Sequence, residues 1–390
     1  MSSCDELVEL GSAHLERNEL PEAHAAFSAA LQLEPLSRKA WAGLGVAFER
    51  AGNLAAADNA WRLAFKATGP KHGEYRGSGL PVRVLVLRSV VEGNVPLEPI
   101  LDDRTFQWAT LLVESFDEAM TLPPHDVVFN AVGSVDMHTR ALAMTQRALG
   151  ATAAPVVNDP LAVRETGRIA IAQRMRSIDG VVTPHIVGVP RAMLAETTAE
   201  TVLEEYGFAF PLLVRSVGFH GGEHFAYVAD AGALGPVVDG LPGDSLLVIS
   251  FLDTRRADGT VRKYRVLSIG GELYPLHLGI SRDWKVHYFS ADLRPEHRAE
   301  ERAFLGDMNA ALGADAVRAL RDVAAALSLD YAGIDFTVHE GKVVVFEANA
   351  TMAIVPPGPE SEEFYRREPI GRAIEAVRTM IRTRAARLPI

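Results

Sequence analysis

Two carboxylates and a carboxamide, Asp335, Glu347 and Asn349, stand within fifteen residues of one another in what reads as one β-hairpin. Such a set suits a hard divalent cation, because magnesium takes one or two carboxylates and completes its shell with phosphate and water. The apolar pattern sets the register. Ile334, Phe336 and Val338 alternate on the first strand, and Val344, Phe346 and Ala348 on the second, around His339-Glu340-Gly341-Lys342. If both sets share a buried face, a three-residue loop, Glu340-Gly341-Lys342, puts Asp335 opposite Glu347, with Asn349 following on the same side. A two-residue loop would throw the two acids onto opposite faces. The plainer reading of the same residues is a hairpin with a solvated polar side.

Upstream lie residues suited to the anion such a metal would accompany. Arg215 ends an apolar run, and Gly218, His220, Gly221 and Gly222 follow it. Glycines let a loop bring backbone N–H groups close to phosphate oxygens. Lys263-Tyr264-Arg265-Val266 adds further positive charge. Phosphoryl transfer needs positioning and charge neutralisation more than covalent help. Each feature has an ordinary alternative, since a strand arginine is usually solvated and the glycines could close a simple turn. Their order ahead of the acidic hairpin is what gives them meaning. No Gly-Lys-Ser or Gly-Lys-Thr run occurs, so a Walker-type loop is excluded.

In these motifs the chain resembles the ATP-grasp superfamily of carboxylate ligases, from about Val82 to the C-terminus. The family closes with an Asp on one strand and Glu-x-Asn on the next, as Asp335, Glu347 and Asn349 stand here. The resemblance implies an N-terminal α/β layer, then two antiparallel-sheet subdomains gripping ATP. It implies ATP and Mg2+ as cofactors, two ions with Mn2+ as a substitute, held by Asp335, Glu347 and Asn349. It implies activation of a carboxylate as an acyl phosphate, attack by an amine, and release of ADP and phosphate. Asn158-Asp159-Pro160 through Thr166-Gly167-Arg168 matches the lead-in segment, with Arg168 where a phosphate-binding Lys is usual. Arg215 stands in place of a second Lys; both changes keep the charge but replace a point contact with a fork. Gly218, His220, Gly221 and Gly222 correspond to the loop over the phosphates. Ser250, Phe251, Leu252 and Asp253 correspond to the adenine hinge, although the usual acid near its start is absent. Arg265 corresponds to the residue that steadies the transferred phosphoryl group.

The acceptor side rests on residue type alone. Arg282, Lys285 and His287 cluster after an apolar strand and could hold a carboxylate or deprotonate an amine. His277 and His220 are further candidates. Asn130 and Ser134 follow a strand of the α/β layer, where ligands gather at carboxyl ends; Ser134 or Asp136 could equally cap the next helix.

The elements that position these groups follow from composition and periodicity. Leu7, Leu10, Gly11, His14, Ala23, Phe27 and Ala30 recur as Trp41, Leu44, Gly45, Phe48, Ala57, Trp61 and Ala64, a step of 34 residues. This front end resembles the tetratricopeptide (TPR) family and is read as core rather than ligand-bearing. Two repeats need support, from the rest of the chain or from a second copy in a homodimer. The expected architecture is multidomain: all-α TPR helical repeats (1–70), a linker (71–81), an α/β pre-ATP-grasp domain (82–155) and an α+β ATP-grasp domain (156–390). The last divides into subdomains of about 156–248 and 249–390. A helix over Ile370 to Arg384 carries an apolar stripe at Ile370, Ile374, Val377 and Ile381.

With 390 residues, 48% of them hydrophobic, the chain can build two or three cores. A net charge of −11 gives nucleic acid no general attraction. The single cysteine, Cys4, forms no internal disulfide and points to a reducing, cytoplasmic setting. No apolar run reaches membrane-spanning length, and the first residues do not read as a signal peptide. The expected partners are small-molecule or peptide carboxylate and amine substrates, and a protein or peptide at the repeats. The function expected is therefore an ATP-dependent carboxylate–amine ligase, with peptide or natural-product assembly as its setting. The alternatives are a small-molecule kinase on the same site, or a TPR adaptor with a non-catalytic nucleotide fold.

Overall fold

In the computed structural model, residues 2–65, 69–91, 93–195, 199–219, 221–286, 292 and 294–386 are described. Four helices open the chain: α1 (Cys4–Glu16), α2 (Leu20–Leu33), α3 (Arg38–Arg50) and α4 (Leu54–Phe65). They form two hairpins one repeat step apart. Glycine sets the close approach in each. A Cβ on Gly11 would lie 2.7 Å from the Phe27 ring, and one on Gly45 would lie 2.6 Å from the Trp61 indole. Ser3 caps α1 in a capping box with Glu6.

A five-stranded sheet follows. β1 (Lys71–His72) runs antiparallel to β3 (Phe106–Leu112), and β2 (Val82–Arg88), β3, β4 (Val127–Asn130) and β5 (Val156–Val157) are parallel in the order β1-β3-β2-β4-β5. The segment 71–81, expected as a linker, contributes β1 as an edge strand, and Arg76 pairs with Asp103. Helix α5 (Val135–Leu149) leaves the end of β4. The helical hairpins lean on this layer, with Trp61 and Phe65 packed against Val90 and Leu112, and Arg140 of α5 paired with Glu49 and Asp58.

Next come α6 (Pro160–Arg164), α7 (Arg168–Met175), β6 (Val181–Val182), β7 (Ile186–Pro190), α8 (Arg191–Ala195), α9 (Ala199–Glu205), β8 (Leu212–Ser216), β9 (Phe225–Val228), α10 (Ala231–Gly240) and β10 (Ser245–Ser250). Strands β7-β10-β8-β9 form an antiparallel sheet with its own core around Leu212, Val214, Val228 and Val248. The chain then returns through β11 (Val261–Ile269), β12 (Glu272–Ser281), α11 (Pro295–Gly306), α12 (Met308–Leu312), α13 (Ala314–Leu327), β13 (Tyr331–His339), β14 (Lys342–Asn349) and α14 (Arg367–Ala385). Its sheet runs β12-β11-β13-β14-β6, with β6 parallel to β14. The four-stranded sheet is therefore an insertion that enters after β6 and leaves before β11. Its two tethers are stitched where Ser250 N donates to His185 O at 2.9 Å.

Helix α14 buries its expected stripe, Ile370, Ile374, Val377 and Ile381, against both the parallel sheet and β11–β12. Asn158, fully buried at φ +61°, exchanges two hydrogen bonds with the Tyr331 backbone and so fixes the start of the lead-in segment to β13. Among the described residues, no helix is long and apolar enough to cross a membrane.

Candidate active site

The acidic hairpin reaches the expected pairing by a different route. Glu340 and Gly341 form a two-residue turn, both at positive φ, and His339 pairs with Lys342. The core face of β14 near the turn is Val343 and Val345, opposite Val338 and Phe336, rather than Val344 and Phe346. A bulge at Phe346 then shifts the register by one, so that Asp335 faces Glu347 and Ile334 faces Ala348. Phe346 is turned out of the core, 37% exposed, into the cleft between the two antiparallel sheets.

That register builds a row of functional groups across three strand pairings. His277 of β12 lies opposite Arg265 of β11, Arg265 opposite Asp335, and Asp335 opposite Glu347. A second bulge, in the pairing of β11 with β12, directly follows Arg265. Asp335 is 1% exposed. Its two oxygens accept from Arg265 Nε at 2.6 Å and Nη2 at 2.7 Å, and Lys263 Nζ lies 3.0 Å from Oδ2. Burial raises its carboxyl pKa, but the Arg265 and Lys263 charges outweigh burial and hold it well below the usual carboxylate range. Burial, and then the nearby Arg265 charge, drive His277 well below its ordinary pKa, so its imidazole is neutral.

Glu347 accepts from Arg168 Nη2 at 3.0 Å, and the other end of that guanidinium pairs with Asp136 at the start of α5. Asp136 thus acts on the hairpin through Arg168, in a chain across three elements. Asn349 is on the same strand end, but its carboxamide oxygen already accepts from Thr351 N and Oγ1, both at 3.0 Å. Asp335 and Glu347 fit a divalent cation that draws the rest of its shell from phosphate. No cluster of three or more His, Cys, Asp or Glu that could hold a metal alone occurs among the described residues.

Across the cleft, Arg215 projects from β8. It is 7% exposed; its Nη2 donates to Phe219 O at 2.5 Å, and its Nε is buried without a hydrogen-bond partner. Burial, reinforced by the Arg168 charge, lowers its pKa to about 10. A buried guanidinium beside the cleft, with one donor unused, suits an anion. Gly221 and Gly222 line the cleft at positive φ, and Gly218, also at positive φ, turns the loop. Lys285 lines it too and donates from Nζ to Gly222 O.

Ser250, at the end of β10, and Phe251, Leu252 and Asp253 after it, expected as the hinge, line the cleft wall. Asp253 is exposed, and its oxygens accept from Arg255 N at 3.1 Å and Nη1 at 3.2 Å. Arg282 is exposed and is not among the residues lining the cleft. Asn130 is also removed from the substrate-facing candidates: it is buried, donating to Asn158 O and accepting from Val132 N. Ser134 heads α5 without a side-chain cap bond, in a small recess shared with Asp136, Arg168, Glu347 and Asn349. His220 and His287 lie outside the described residues.

The sequence placed Lys263 only in a positively charged stretch and Asp136 only as a possible helix cap, and gave no sign of an aromatic wall. Trp284 packs edge-on against Phe225 (5.2 Å between centroids) and Phe251 (6.4 Å), and Tyr227 against Phe251 (5.1 Å). Lys263 was visible as a lysine two residues before Arg265, on the same face of a strand. The aromatic wall left no such signal, because its members come from three separate elements.

No protein-family model matches this chain, and no curated protein matches it. Solved structures with a similar backbone include D-alanine–D-alanine ligase from Bacillus anthracis complexed with ATP, at 17% identity and a TM-score of 0.47, covering 79% of this chain and 98% of that one. VanG D-Ala:D-Ser ligase from Enterococcus faecalis is similar at 13% identity and 0.48, covering 78% and 100%. A RimK domain ATP-grasp protein from Sphaerobacter thermophilus is similar at 14% and 0.46, covering 77% and 98%. At these identities and TM-scores the likeness by itself assigns neither fold family nor reaction.

Proposed function

We propose that this chain is an ADP-forming carboxylate–amine ligase of ATP-grasp type. The observation that carries the reading is the cleft itself: Arg265, Asp335 and Glu347 in one cross-strand row face Arg215 and the glycine turn on the opposing sheet. On this reading residues 1–70 are a TPR-type pair, 82–155 the layer that precedes the grasp, and 156–390 the two halves that hold ATP.

Phe251 and Leu252 offer backbone to adenine, with Ile186, Leu213 and Phe346 as apolar walls. Arg215, Arg168 and the N–H groups of Gly221 and Gly222 receive the phosphate chain. Asp335 and Glu347 would hold Mg2+ or Mn2+; Asn349 joins them on releasing Thr351. A bound divalent cation supplies charge neutralisation and fixes the β- and γ-phosphates. Arg265, anchored by Asp335, stabilises the charge that builds on the transferred phosphoryl group. A carboxylate oxygen of the substrate attacks the γ-phosphorus, the bond to the β-bridging oxygen breaks, and ADP leaves. The amine nitrogen then attacks the acyl carbon, expelling phosphate and losing a proton. Lys285 stands within the cleft to orient the acyl group; His277, neutral but buried behind Arg265, is poorly placed to take the proton.

The helical hairpins lie against Val90 and Leu112, beyond the carboxyl ends of β2 and β3. That position supports a peptide as the carboxylate or amine substrate, presented from the repeat side. The test is purified protein with ATP, Mg2+ and carboxylate–amine libraries that include peptides, read as phosphate release. Absence of nucleotide binding by calorimetry refutes the proposal. ADP with a stable phosphorylated product and no free phosphate would identify a kinase.

A further inference from the structure

Each metal-facing carboxylate in this cleft is already occupied by a cation from the chain itself. Asp335 has both oxygens engaged by Arg265, and a second charge, Lys263, shares Oδ2. Glu347 is engaged by Arg168, which Asp136 holds from the far side. The two cations on Asp335 differ in kind. Arg265 sits directly across the strand pairing and bonds in a fork, an arrangement fixed by register. Lys263 is a compact charge on a flexible stem, two residues along the same strand face. Asp335 is the one carboxylate its ammonium reaches among the described residues.

The local charge is therefore in excess before any metal arrives. Lys263, Arg265, Arg168 and Arg215 face Asp335, Glu347 and Asp136. A divalent cation added alone would enter beside Lys263 and Arg168 with nothing to offset it. A triphosphate changes that, because it offers both side chains stronger acceptors and exposes the carboxylate oxygens they cover.

We infer that Lys263 and Arg168 act as built-in counter-ions that keep Asp335 and Glu347 closed to a divalent cation until a nucleotide triphosphate draws them away. The inference rests on the ligase reading of the same cleft. It makes nucleotide and metal obligatory companions, and it makes Lys263 a positioning residue whose removal should gain a binding activity rather than lose one.

The probe is Mn2+, followed by the paramagnetic signal of the free ion during titration of the full-length protein. Without nucleotide, wild type should show no Mn2+ binding in the cleft over the titrated range, whereas Lys263→Met should bind it with an affinity roughly tenfold or more above that detection limit. Lys263→Arg, which keeps the charge, should behave as wild type. With a non-hydrolysable ATP analogue present, all three should bind Mn2+. Wild-type binding of Mn2+ alone at a site abolished by Glu347→Ala would overturn the inference. So would a Lys263→Met protein that binds the analogue with Mn2+, proving it folded, yet binds no Mn2+ on its own. In either case the ligase reading survives. If wild type binds neither Mn2+ nor the analogue, singly or together, both fall.

Discussion

Replacing Arg215 with methionine should make the protein more stable and worse at binding nucleotide. The guanidinium is 7% exposed, with an idle Nε, and burial lowers its pKa from the ordinary guanidinium range to about 10. At about 1.4 kcal/mol per pH unit, the closed fold bears a cost of about 3 kcal/mol for keeping that charge. For a base held below its ordinary pKa, the cost is complete at pH 7 and shrinks only as pH rises through about 10. Against it stand the bond to Phe219 O and the 5.3 Å stacking on Phe225, each worth about 1 kcal/mol. The balance favours Arg215→Met by about 1 kcal/mol, a rise of roughly 2–4 °C in Tm for a unit of this size. Losing a charged phosphate contact worth about 1.5–3 kcal/mol should weaken an ATP analogue roughly 10- to 100-fold. Thermal melts with and without the analogue read both numbers at once. A variant that melts below wild type and binds the analogue equally well would show that Arg215 is packing, and would remove the anion site from the cleft.

Glu347→Ala should abolish phosphate release with the melting temperature within a few degrees of wild type, since it deletes a partly exposed carboxylate and not core; calorimetry and a phosphate assay decide it. Phe346→Ala should weaken nucleotide binding several-fold with little change in Tm, because the bulged ring stands in the cleft and not in the core; a Tm drop of the size of a core deletion would contradict this. Asp335→Asn should destabilise the protein at neutral pH. Asp335's folded pKa is depressed, so its stabilisation is present above the unfolded value of about 3.9 and fades as pH falls below it. The gap between wild type and Asp335→Asn in denaturant melts should accordingly narrow below about pH 4.

How far the site could be read in advance depended on parity. Alternation along β13 showed which residues share its core face, and Asp335 opposite Glu347 followed. Alternation cannot locate a bulge, however. Val344, Phe346 and Ala348 read as one unbroken alternation, which puts the extra residue in the loop instead of at Phe346. The repeat step foretold the Gly11–Phe27 and Gly45–Trp61 contacts, because equivalent positions must solve the same packing problem. The link from Asp136 through Arg168 to Glu347 and the wall around Trp284 depend on which distant elements meet, and no local pattern carries that information. Arg282 shows the converse, a charge in a dense polar run that turned out to face solvent.

The two tethers of the inserted sheet have a mechanical meaning. Strands β7 and β10 are neighbours, with Ile186 paired to Ile249, and the bond from Ser250 to His185 clamps the chain just where it enters and leaves. A body attached at one point can swivel in every direction; one attached by two clamped strands turns about a single line. A swing about that clamp would carry Arg215 of the inserted sheet toward or away from Glu347. The same adjacency means that the insert could be cut out and its ends closed by a short turn, leaving β6 and β11 where they are. The acidic row would then stand open to solvent on a scaffold that keeps its own sheet and helices.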